Sequence, residues 1–433
     1  MLSVWQDCST LPKLDKLRGD IKTDVLIIGG GIAGILTAYN LQKQGVKYLL
    51  IESDSILRGV TANTTAKITS QHSLIYSSLI KRFGVDGARL YYRLNEAAIE
   101  KYRSFAKVSD FDFENKDSYV YSINRKDKLE KEMEALEKIG CKAKLLDIVK
   151  LPFSNQGAVC FKDQGQFDPL KFLSFISKKL NIYENTAALS YDGENIITNG
   201  GKIGASKIII ATHFPILNKH GKYFLKLYQH RSYVLALENA DELDGMYVDE
   251  AENGMSFRNH KGLLLIGGGD HRTGKKGGAY RELSDFRKTY YPNSSEKYRW
   301  ATQDCMSLDS VPYIGKYSKG TENLYVATGF NKWGMTTAMV ASEVLTDMVL
   351  GRKNEAEMLF NPSRSILTPQ LFINIFEATK SLLTFTSPRC PHMGCALKWN
   401  SVEHSWDCPC HGSRFKEDGT LLENPSTGNL KRP

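Results

Sequence analysis

The sequence predicts an α/β protein of two or three domains, opening with a Rossmann-like dinucleotide fold and closing with a small metal-binding unit. Three observations carry this expectation. Residues 23–44 read as strand, glycine turn and helix, followed by a second strand that ends in an acid, Glu52. Residues 324–336 repeat the strand, turn and helix pattern, and two Cys/His pairs stand at 390–392 and 408–411. With 433 residues, 42% of them hydrophobic, the chain can bury more than one core.

The first element is the apolar run 23–28, of strand length. In the turn after it, Gly29 permits the tight bend, Gly31 lets a pyrophosphate approach the backbone at a helix N-terminus, and Gly34 lets the helix close on the strand. The strand 47–51 leads to Glu52, eighteen residues past Gly34, where it can accept hydrogen bonds from a ribose hydroxyl. This fingerprint suits NAD and FAD alike. Residues 263–270 are also glycine-rich, but Lys275-Lys276-Gly277-Gly278 stands where an apolar helix would have to follow. A second nucleotide fold, and with it NAD(P)H as direct reductant, is therefore not expected.

Composition excludes several classes. The net charge of +9 is modest for this length, and lysines alternate with glutamates along 126–138, as on a solvated helix face. Nucleic acid is not an expected partner. No leader-like segment opens the sequence and no apolar run approaches the roughly 20 residues that span a bilayer, so the expectation is a cytoplasmic protein with no membrane span. Cys8, Cys141, Cys160 and Cys305 are scattered, which fits a reducing compartment.

The polar loop 58–67, the strand 208–212, the run 309–315 and the pattern at 324–336 together resemble the D-amino-acid-oxidase-like family of FAD-dependent oxidoreductases, over residues 20–355. The resemblance implies FAD and a glutathione-reductase-type, Rossmann-like α/β FAD-binding domain in three pieces, 20–117, 152–213 and 301–357. An α+β substrate domain, 118–151 and 214–300, is inserted between them. FAD would be held by Gly29, Gly31, Gly34, Glu52, Thr65, Gly329, Gly334, Met335 and Thr336. His213 stands where a glycine is usual. Thr336 stands where sarcosine-oxidase-like relatives place a carboxylate-binding lysine, so the small-molecule substrate does not transfer with the fold. The residues expected near the flavin ring are Arg231, Tyr233, His271, Arg272, Lys332 and Trp333. Among these, Arg231, Tyr233, Arg272 and Lys332 are the catalytic candidates, with Arg231 or Arg272 able to fork onto a substrate carboxylate; surface or phosphate contacts are the plainer alternative. Cys305 lies where some relatives attach FAD covalently, though a buried free thiol is the commoner state.

At the C-terminal end, Cys390-Pro391-His392 and Cys408-Pro409-Cys410-His411 offer two thiolates and two imidazoles, the ligand set of a Rieske 2Fe-2S centre. Zn²⁺ takes the same donors, but usually from C-x2-C and H-x3-5-H spacings. The stretches CPHMGC and CPCHGS resemble the two cluster boxes of Rieske proteins. That resemblance implies Cys390 and Cys408 on the inner iron, His392 and His411 on the outer one, a Cys395–Cys410 disulfide, and a small all-β domain. It also implies a cluster hydrogen bond from Ser413, a phenylalanine, Phe415, in place of a potential-raising tyrosine, and a covering loop at Asn424-Pro425. The domain, 386–433, lacks the basal strands that normally precede the first box. It is therefore expected to dock on the flavin domain or on a partner chain, through a linker, 358–385, whose 371–383 stretch is apolar and helical.

The function implied is an FAD-dependent oxidoreductase that takes hydride from a small substrate, an amine or amino acid by family analogy. Electrons would leave through the cluster to an unidentified acceptor. The alternative is a redox sensor or electron-transfer module without turnover. A Rieske oxygenase would need a further iron site of two histidines and a carboxylate, and no histidine follows His411.

Overall fold

The computed structural model describes residues 2–7, 13–217, 220–385 and 388–431; Cys8 lies outside them. The first sheet is the dinucleotide sheet. Leu324–Thr328, Lys202–Ile210, Ile21–Ile28, Tyr48–Ile51 and Ile182–Tyr183 lie side by side and parallel, with Tyr313–Lys316 antiparallel at one edge. Leu26, Ile27 and Ile28 are all buried because the sheet is covered on both faces, which is why the strand reads as a continuous apolar run. The helices Ile32–Lys43 and Gly334–Val349 pack against each other over this sheet.

The second sheet holds most of the segments expected to form the substrate domain. Its order is Ser295–Ser307, Leu227–Glu238, Leu263–Arg272, Ser256–His260, Gly245–Asp249, Glu114–Tyr121, Ala158–Gln166 and Lys67–Ile68, with Lys144–Leu146 also paired to Ala158–Gln166. This moves the expected boundaries. Residues 158–166, assigned above to the FAD-binding domain, pair with 114–121. Residues 301–307 continue a substrate-sheet strand rather than opening the last FAD-binding piece. An apolar alternation identifies a strand, but its sheet is decided by partners far away in sequence.

Four short antiparallel strands, Lys398–Asn400, Ser405–Asp407, Arg414–Lys416 and Leu421–Glu423, form the third sheet. Its small core holds Cys390, Cys395, Leu397, Cys408, Cys410 and Phe415. The connector is helical as expected, Pro369–Leu382, with the Thr368 side chain capping its N-terminus. Among the described residues no helix is long and apolar enough to cross a membrane.

Candidate active site and metal centre

A cavity of about 1570 Å³ opens between the dinucleotide sheet and the substrate sheet. At its nucleotide end the backbone leaves no room for a side chain at Gly29 or Gly34. A Cβ on Gly29 (φ 115°) would sit 2.5 Å from the Ala211 carbonyl oxygen, and one on Gly34 would sit 1.9 Å from that of Gly29. Glu52 braces the turn by accepting from the Gly30 N–H at 2.7 Å. Gly29, Gly31, Glu52, Thr65, Gly329, Gly334 and Met335 all line the cavity, so the cradle suits an extended dinucleotide such as FAD. Thr336 departs from expectation. Its hydroxyl is turned inward, 3.0 Å from the Thr69 carbonyl oxygen and 3.0 Å from His72 Nε2.

The other end is walled by the substrate sheet and the turn before Gly334. Lys332 lines it, ion-paired with Asp270, and Tyr233 lines it while its hydroxyl donates to Glu403 at 2.9 Å. Arg231 and Arg272 do not serve the expected role. The Arg231 guanidinium is buried against Glu403 and Glu423. Arg272 donates to the Pro409 carbonyl at 3.1 Å, the Cys410 carbonyl at 3.2 Å and Asn374 Oδ1 at 2.9 Å. Both spend their donors on the cluster domain and its connector, so neither is free to fork onto a substrate carboxylate. His271 stacks on Tyr233 at 5.6 Å.

Several lining residues escaped the sequence reading, Asp304 and His72 among them. Asp304 faces the cavity, and burial pushes its carboxyl up to about 6 against the pull of Lys332. His72 stacks on Trp333 at 5.2 Å, and burial lowers it to about 3, so the ring is neutral. His213 holds a left-handed backbone (φ 65°), the conformation that makes glycine usual there. Acids outnumber bases on this wall: Asp249, Glu250, Glu252, Asp270 and Asp304 line it with Lys67 and Lys332, Asp270 being paired with Lys332 and Glu250 with Lys128. Cys305 is 2% exposed, 3.6 Å from Thr328 Oγ1, and burial pushes its thiol up to about 12. That is the opposite of what a thiolate attachment needs.

The metal centre is made by two loops of the same design. In each, the first cysteine N–H donates to the carbonyl five residues on, Cys390 to Cys395 and Cys408 to Ser413, at 2.9 Å. A glycine N–H four residues on, Gly394 or Gly412, returns to the first cysteine's carbonyl at 2.9 Å. Both glycines take positive φ, 75° and 86°, which lets the loops turn so tightly. The Cys395–Cys410 disulfide clamps one loop to the other, with Cα atoms 6.7 Å apart. Inside the clamp the Cys390 and Cys408 thiols share a hydrogen bond, which pulls Cys390 down and pushes Cys408 up. The His392 and His411 rings lie 4.8 Å apart. Buried His411 Nδ1 has no hydrogen-bond partner among the described residues, so a nitrogen is left to bind metal. Two thiols and two imidazoles converging in this way fit a Rieske 2Fe-2S cluster. Ser413 hydrogen-bonds the Cys390 side and Phe415 is fully buried.

The cluster domain is seated on the substrate sheet. Gln229 donates to the His411 carbonyl at 2.9 Å, Gln303 to the Gly412 carbonyl at 2.9 Å, and Asn424 to the Thr212 and Phe214 carbonyls at 2.6 and 2.9 Å. The Phe214 ring packs edge-on to both cluster histidines, 6.2 Å from His392 and 6.3 Å from His411.

Comparison with known proteins agrees with both halves. Residues 24–348 match the FAD dependent oxidoreductase (DAO) family model, and residues 361–433 match the Rieske [2Fe-2S] domain, which takes in most of the expected linker. A Rieske 2Fe-2S iron-sulfur protein of Bacillus subtilis, YhfW, is 35% identical over 99% of this chain and 96% of its own length. Glycine oxidase from Geobacillus kaustophilus shares the fold at a TM-score of 0.66 and 19% identity, over 80% of this chain and 99% of that one. L-Proline dehydrogenase from P. horikoshii does so at 0.66 and 18%, over 80% and 98%. The cradle, the paired cluster loops and these matches together place the chain in the DAO family of FAD-dependent oxidoreductases, as an enzyme that uses FAD and carries a C-terminal Rieske 2Fe-2S domain.

Proposed function

We propose that the protein oxidises an amine in the FAD cavity and passes the electrons through the Rieske centre to an external acceptor. The observation that carries this reading is Gln303, a residue of the cavity lining whose side chain donates to the Gly412 carbonyl beside His411. His213 lines the cavity next to Phe214, whose ring touches both cluster histidines. Single residues thus reach from one redox site to the other. When bound, FAD accepts hydride and the cluster carries single electrons.

The chain's own groups favour a cationic substrate. The acidic wall attracts an ammonium, and the two arginines that would have received a carboxylate are occupied by the cluster domain. Asp304, ionised above about pH 6, accepts the proton that the ammonium must lose before hydride can leave. Anaerobic mixing with a panel of amines and amino acids, read at the flavin absorbance, tests this. Amines should bleach the flavin at a rate that rises as pH climbs through about 6. Asp304→Asn should slow bleaching by about 100-fold or more and remove that limb. Bleaching by amino acids alone would refute the amine assignment; no bleaching by any member would favour a module without turnover.

A further inference from the structure

The connector helix Pro369–Leu382 is packed inside out. Its inward positions are Leu371, Asn374 and Ser381, all 5–6% exposed. Two of these are polar and satisfied inward: Asn374 Oδ1 accepts from Arg272 at 2.9 Å, and Ser381 Oγ donates to the Ala396 carbonyl at 3.1 Å. The outward positions carry Phe372 (65% exposed), Ile373 (50%) and Phe376 (64%), and the chain continues through Leu383 (67%) and Phe385 (94%). An ordinary surface helix has the reverse arrangement. A contiguous exposed apolar face of this kind marks an interaction surface.

Charge indicates what covers it. Between residues 367 and 395 the one acid is Glu377, and it is ion-paired with Lys275 at 2.5 Å. Lys276 and Lys380 are exposed around it, on a chain of net charge +9. Asn374 and Ser381 are turned inward, and the outer face is dominated by phenylalanine, isoleucine and leucine flanked by lysine. That is the composition of a helix lying flat in a lipid interface. We propose that this helix, with residues 382–385, seats the protein on an anionic bilayer.

The seat has a defined place. Leu367, Thr368 and Pro369 line the cavity, so the helix starts at that site. It ends at the first cluster loop, where Arg389 donates to the Leu382 carbonyl at 3.2 Å and the Gly394 carbonyl at 2.9 Å. A bilayer on this face runs from the cavity to the cluster loop, where Met393 is 41% exposed. Lipid binding does not depend on the amine reading, and it is measured without substrate.

The test is flotation of the holoprotein with vesicles of phosphatidylcholine alone or mixed equally with phosphatidylglycerol. The protein should float with the mixed vesicles and not with phosphatidylcholine at raised salt. Phe372→Ser combined with Phe376→Ser should lower the bound fraction by about tenfold or more with the flavin and cluster spectra unchanged. Failure of the wild-type protein to float with anionic vesicles overturns the proposal whatever the variant does. So does a wild-type dimer that ignores vesicles and becomes monomeric in the double variant, because a second copy would then cover the face.

Discussion

Replacing Arg231 with methionine will release the cluster domain from the substrate sheet. Arg231 is 2% exposed, and its guanidinium is shared between Glu403 and Glu423 of the cluster domain. Arg414 contacts the same two acids at 2.8 and 3.2 Å and holds Asp407 at 2.9 Å, so two cations serve three acids inside a closed network with no cation to spare. Burial works against the charged form of Glu403, but Arg231 and Arg414 outweigh it and hold its carboxyl at about 2. The network therefore stays charged at neutral pH and loosens only as pH falls from the ordinary carboxylate range toward 2. Removing one cation leaves a buried acid underpaired, at a cost of about 3–5 kcal/mol. A domain this small has no reserve to absorb that. Hydrogen exchange should accelerate across 398–423, and iron content should fall on standing, while FAD stays bound. Unchanged exchange there would show that the remaining hydrogen bonds suffice for docking.

Gly34→Ala will abolish FAD loading. The added Cβ would lie 1.9 Å from the Gly29 carbonyl oxygen, and both atoms belong to the turn that forms the cradle. No side chain can move aside, so the Ile32–Lys43 helix must shift off the Ile21–Ile28 strand, at a cost of about 1–3 kcal/mol or more. Gly31→Ala is the contrasting case, since its Cβ meets only Thr61 Oγ1, at 3.4 Å. Flavin absorbance per iron should therefore drop to near zero in Gly34→Ala. In Gly31→Ala it should recover when FAD is added in excess, because only the approach of the pyrophosphate is impaired.

What could be read from the sequence was contiguous in it. The glycine turn and the two cluster boxes each complete their chemistry within a few residues, so their geometry is local. Arg231 and Arg272 were misread because an arginine on a strand looks the same whether it faces a ligand or a domain. Their partners, Glu403 and Pro409, arrive more than a hundred residues later. Residues 158–166 were assigned to the FAD-binding domain, away from their partner strand 114–121, for the same reason. Asp304 carries no local signal, since its raised carboxyl pKa comes from burial that only the assembled sheet provides. The connector was legible as an apolar helix, but not that its phenylalanines point outward.

The central claim is that electrons cross from the cavity to the cluster within one chain, and stopped-flow mixing tests it most directly. Fully loaded, oxidised protein is mixed without oxygen with an amine that bleaches the flavin, and the cluster is followed by its visible absorbance and by freeze-quench EPR. The flavin signal should fall first, and the reduced-cluster EPR signal should then grow at a rate independent of protein concentration. A flavin that is fully reduced while the cluster stays oxidised, or a cluster rate that scales with protein concentration, would contradict that claim.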